Sequence, residues 1–120
     1  MADHVLFISW GHPVRGAEGR ALEAFNETLE LYGRLQQEGR IDGFEVMLFE
    51  PNGAFDGCIQ VHGSAEQIAA VRADEEFQRS IVVASLVVED LRLVEGYANE
   101  GVARQMALYQ EAVANVPQRA

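Results

Sequence analysis

Between Asp56 and Tyr97 the rhythm of apolar positions changes twice. Gly57-Cys58-Ile59-Gln60-Val61-His62 alternates with the period of a strand. Gly63-Ser64-Ala65-Glu66-Gln67 then opens a helix, with Ser64 and Gln67 spaced as a capping box. Asp74 is placed to cap a continuation in which Phe77, Ile81 and Ala84 recur at helical spacing. The β-branched runs Ile81-Val82-Val83 and Val87-Val88 also suit a strand; the favoured reading is helix to about Val87, then strand from Glu89 to Tyr97. The first half repeats the order. His4 to Trp10 reads as a strand, followed by a Gly11–Gly16 loop. From Ala17 to Glu38 the residues Leu22, Phe25, Leu29, Tyr32 and Leu35 form one helical stripe, stopped by Gly39. Ile41 to Glu50 is a second strand, with Phe44, Val46 and Leu48 on one face, and Glu50 to Phe55 a turn.

A further helix is expected from an Asn99 cap to Val116, ended by Pro117. Its apolar positions Val102, Met106, Tyr109, Val113 and Val116 form a narrow seam. This helix is surplus to two strand-helix-strand units and is expected at a sheet edge or across a subunit contact. The 120 residues make a single domain, with a core from 4 to 97 and the added helix at 99–116.

Composition narrows the chemistry. The net charge of −10 disfavours nucleic acid and anionic membrane surfaces as partners. All nine basic residues are arginine, so lysine Schiff-base chemistry and a Walker-type phosphate loop are excluded. The single Cys58 forms no internal disulfide, and the first residues resemble no secretory leader. No apolar run approaches ~20 residues. A reducing cytoplasm is the expected compartment.

The order strand-helix-strand-strand-helix-strand resembles the ferredoxin-like fold: α+β, one antiparallel sheet of spatial order 4-1-3-2, two helices on one face. In that arrangement strands one and three are neighbours. A register with His4 opposite His62 puts His4, Leu6, Ile8 and Trp10 on one face with Asp56, Cys58, Gln60 and His62. Val5, Phe7, Ile59 and Val61 then face the helices. The first face, with Met47, Phe49, Glu45 and Arg92 in prospect, is too apolar for water and too polar for a core. A homodimer whose sheets face each other around a partly polar cavity resolves the conflict.

The residues Gly57–His62, the Gly63–Gln67 helix start, Asp74-Glu75-Glu76-Phe77 and Asp90–Tyr97 are similar to the dimeric α/β-barrel superfamily, which includes antibiotic-biosynthesis-type monooxygenases. The likeness covers about Val5 to Tyr97. It implies a homodimer that binds a small apolar or aromatic molecule between sheet and partner. It also implies cofactor-independent oxygenation or proton transfer if the protein is an enzyme. The chain departs from two branches: no histidine lies in 65–87, where haem-degrading relatives carry a ligand, and none in 17–38. No cofactor and no metal are expected.

The candidate catalytic residues are His62, to move a proton, and Gln60, to hold a developing oxyanion. Trp10, His4, Leu6, Ile8, Met47, Phe49 and His12 are the candidate ligand contacts, with Trp10 and Phe49 able to stack an aromatic ring. Against these stand plainer readings: His4 and His62 as strand-end residues satisfied by water or backbone, Cys58 as an inert core residue, Arg15 as a surface ion-pair partner. Cys58 and His62 alone are a poor metal site, because four strand residues span about 13 Å. The alternative function is a non-catalytic structural or ligand-sensing dimer.

Overall fold

The computed structural model describes residues 2–117; Met1 and residues 118–120 lie outside it. Its elements are β1 (His4–Trp10), α1 (Glu18–Gln37), β2 (Gly43–Leu48), β3 (Gly57–Gly63), α2 (Ala65–Ala73), α3 (Glu75–Val87), β4 (Arg92–Tyr97) and α4 (Glu100–Ala114). The four strands form one antiparallel sheet in the order β2-β3-β1-β4, which is the expected 4-1-3-2 read from the other edge. None of the helices among the described residues is long and apolar enough to cross a membrane.

Local sequence chemistry sets the helix ends. The Ser64 hydroxyl accepts from the Gln67 N–H at 3.1 Å, and the Gln67 side chain accepts from the Ser64 N–H at 2.8 Å, so the capping box is complete. Asp74 ends α2 and starts α3, accepting from the Phe77 N–H at 3.0 Å. Gly39 takes φ +72° after α1, with its N–H on the Gln36 carbonyl and the Arg40 N–H on that of Leu35, a full Schellman closure. The β-branched run 81–88 resolves as helix to Val87, because its apolar side packs on the core through Phe77 and Ile81. Asn99 does precede α4, but its side chain makes no cap; the amide donates instead to the Ala2 carbonyl, tying the N-terminal segment to the start of this helix.

Helices α1, α2 and α3 cover one face of the sheet. Beneath them lie Leu6, Ile8, Ile59 and Val61, packed with Leu31, Tyr32, Leu35, Ile68, Val71 and Phe77. Full burial of such side chains contributes about 1.5–3 kcal/mol each. Helix α4 instead runs from the β4 edge. Gly101 is buried there against the Asp3 backbone, so close that a β-carbon on it would stand 2.3 Å from the Asp3 carbonyl oxygen.

The register of β1 on β3 differs from expectation by one residue. His62 pairs with Val5, Gln60 with Phe7, Ile59 with Ile8, and Gly57 with Trp10. Since side chains alternate strictly, this turns β1 over relative to β3. Leu6, Ile8, Trp10 and His4 lie on the helix side with Ile59 and Val61. Val5, Phe7 and Ser9 lie on the outer face with Cys58, Gln60 and His62. Met47 and Arg92 join the outer face, opposite Cys58 and Ser9. The physical reason is that this register buries the aliphatic residues of both strands together, whereas the expected one would have stranded Leu6 and Ile8 outside.

Candidate functional site

A cavity of about 550 Å³ lies between the sheet and the helices α1 and α3. Its walls are largely apolar: Trp10 and Ile8 from β1, Phe25 from α1, Ile81 and Ala84 from α3, and Phe49 from the loop after β2. The Trp10 and Phe25 rings are 5.8 Å apart. Phe49 packs edge-on against Phe55 at 4.8 Å, in a turn organised by the Asn52 side chain. Volume and lining are those of a small-molecule site.

Two polar features belong to this cavity. Tyr32 is fully buried, and its hydroxyl has no hydrogen-bond partner among the described residues. Burial pushes this phenol well above its ordinary range, so it stays protonated. At the mouth, His12 Nδ1 is 3.1 Å from the Asp56 carboxylate, with the His12 side chain 71% exposed. A carboxylate accepts, so Nδ1 carries the proton and Nε2 is the free nitrogen. Both residues are fixed from behind: the Asp56 N–H donates to the Trp10 carbonyl at 2.8 Å, and the His12 carbonyl accepts from the Glu89 N–H at 2.9 Å.

Trp10, Ile8, Phe49 and His12, all expected as ligand contacts, line this cavity. His62, Gln60 and Met47 do not; they stand on the opposite side of the sheet, so Trp10 and His62 are not brought together. The expected chamber between sheet and partner is therefore not where Trp10 stands. Leu6 is core. His4 hydrogen-bonds Glu95 at 3.0 Å and meets the Tyr97 ring edge-on, while Arg72 binds the other Glu95 oxygen at 2.6 Å. Hydrogen bonds with His4 and Arg72 hold the Glu95 carboxyl below its usual range, His4 contributing most. Asp56 and Tyr32 take places in the site that no spacing in the sequence signals, because their neighbours there come from distant segments.

The outer face holds Cys58, almost wholly buried, whose thiol is pushed up by burial and is a poor nucleophile. The His62 Nε2 atom is buried there without a hydrogen-bond partner among the described residues. Around them Met47 and Val94 are exposed. Among the described residues no cluster of three or more His, Cys, Asp or Glu is arranged to hold a metal.

No family model matches the sequence, and no curated protein does. Solved structures do match in shape. A dimeric protein of unknown function and ferredoxin-like fold from Bacteroides fragilis NCTC 9343 superposes with a TM-score of 0.59 at 14% identity, over 79% of this chain and 96% of that one. The fold is ferredoxin-like. A conserved protein of unknown function from Bacteroides thetaiotaomicron VPI-5482, described as a possible oxidoreductase, superposes with a TM-score of 0.61 at 13% identity, over 82% of this chain and all (100%) of that one. SnoaB, a cofactor-independent oxygenase from Streptomyces nogalater, matches with a TM-score of 0.50 at 15% identity, over 82% of this chain and 93% of that one.

Proposed function

We propose that the protein is a homodimer, closed by the outer faces of its two sheets, in which each subunit binds a small, mostly apolar aromatic molecule between its own sheet and helices. The observation that carries this reading is the cavity of about 550 Å³ walled by Trp10, Phe25 and Phe49, with Tyr32 also in its lining. A mostly apolar wall with aromatic rings suits a small aromatic ligand. The dimer is supported by the half-apolar outer face, by its exposed Met47 and Val94, and by the dimeric neighbour. His62 and Gln60 belong on this reading to the subunit contact.

The likeness to a cofactor-independent oxygenase supports a finer reading, in which the bound molecule reacts in a monooxygenase-like way. Such a reaction requires a substrate that itself becomes an electron-rich anion. Trp10 positions that substrate by ring stacking.

Trp10 is the only tryptophan in the chain, so its fluorescence reports on the cavity directly. Titration with 4-nitro-1-naphthol is expected to quench it saturably, with one probe per chain. Ala84→Phe, which fills the cavity from α3, is expected to abolish the effect. Unsaturable quenching, or equal quenching in Ala84→Phe, would remove the binding reading.

A further inference from the structure

We infer that His12 is the general base of this cavity, oriented by Asp56, and that it takes a proton from the acidic O–H of a bound phenol or enol. The inference rests on the binding reading above and adds the chemical class of ligand and the group that ionises it. The mouth joins three observations. The 3.1 Å contact from His12 Nδ1 to Asp56 fixes one tautomer and leaves Nε2 free to accept. The backbones of both residues are pinned, by the Trp10 carbonyl and by the Glu89 N–H, which fixes the points from which the two side chains reach each other. Pro13 adds a bridge to Val88 that anchors the same loop on the end of α3.

In the step, the ligand O–H bond breaks, a new N–H bond forms at His12 Nε2, and the electron pair stays on the ligand oxygen. The Asp56 carboxylate stabilises the imidazolium. The exposed ring, 71% open to solvent, then passes the proton to bulk water. Charged residues on the segments that meet here include Glu18 on α1, Glu50 between Phe49 and Pro51, Glu89 and Asp90 after α3, and Arg15 in the same loop. Asp56 acts through His12 and is a positioning residue.

The test follows ionisation of bound 4-nitro-1-naphthol by the separate absorbance of its anion, across pH, with each protein variant at saturation so that affinity does not enter. In the native protein the apparent pKa of the bound probe is expected to fall by about one unit against free probe. His12→Gln is expected to abolish that fall, and Asp56→Asn to reduce it. A native protein that quenches saturably but leaves the probe's pKa unchanged would overturn the inference while sparing the binding reading. So would a His12→Gln variant that retains the full shift. Absence of saturable Trp10 quenching would overturn both.

Discussion

The indole of Trp10 lies across Gly57, its partner in the β1–β3 ladder, in the space where a side chain on that residue would stand. A β-carbon there would come within 2.8 Å of Trp10 Cζ2 and 2.7 Å of the Met47 carbonyl oxygen. The second contact is backbone and has little freedom to yield. Gly57→Ala is therefore expected to push the indole out of place and destabilise the fold by about 1–3 kcal/mol. Thermal unfolding checks the loss, and a shift in Trp10 emission checks the displacement. An alanine variant with native stability and emission would show that β2 and β3 separate easily.

That contact also marks where sequence reasoning stopped. Helix ends were legible because each depends on residues within one turn: the Ser64–Gln67 box, Asp74 before Phe77, Gly39 after α1. The fold class followed from the order of elements. In β3 the helix-facing side was legible too, since Ile59 and Val61 contrast with Cys58, Gln60 and His62. Strand β1 offers no such contrast: Val5 and Phe7 are as apolar as Leu6 and Ile8. No hairpin joins β1 to β3, so no turn length fixes their register, and the face of Trp10 was settled only by packing. The cavity and the His12–Asp56 contact, 44 residues apart in sequence, depend on that packing and on loop placement.

Val94 tests the subunit contact. It lies on the outer face beside Phe7 and is 56% exposed. Val94→Asp is expected to change the stability of the isolated subunit little, as surface substitutions do. In a dimer closed by this face it would bury an unpaired charge. Sedimentation is expected to show a dimer for the native protein and a monomer for the variant, with unchanged far-ultraviolet circular dichroism. A variant that remains dimeric would move the contact elsewhere, with the exposed seam of Val102, Met106 and Tyr109 on α4 the next surface to probe.

Asp74 joins two roles that substitution separates. Its carboxylate caps α3 through the Phe77 N–H and pairs with Arg40 at 3.0 Å. Those contacts hold its carboxyl below the usual range, the cap contributing most. A lowered carboxyl contributes stability that is present above its unfolded value and lost as pH falls through the folded one. Asp74→Asn keeps the cap and loses the charge; Asp74→Ala loses both. The alanine variant is expected to cost about 1 kcal/mol, and the asparagine variant less. In urea unfolding measured against pH, both are expected to lose part of the acid limb below about pH 4. An alanine variant as stable as asparagine at neutral pH would show that the cap contributes nothing.

Tyr32 sets stability against binding. Its ring is core, 5.8 Å from Phe44 and 6.5 Å from Phe77, but its hydroxyl is buried without a partner among the described residues. Leaving such a group unsatisfied costs about 1–3 kcal/mol. Tyr32→Phe keeps the ring and removes the oxygen, so the ligand-free protein is expected to melt at a higher temperature. If the hydroxyl meets the ligand's polar atom, the same change weakens binding of a hydroxylated naphthalene. Plain naphthalene, which has no polar atom to offer, is expected to bind the variant at least as well as the native protein. Melting curves and Trp10 quenching with the two probes measure the opposed effects. A gain in stability with unchanged affinity for both probes would place the tyrosine in the core alone. A loss of stability would mean that the hydroxyl already has a partner in solution.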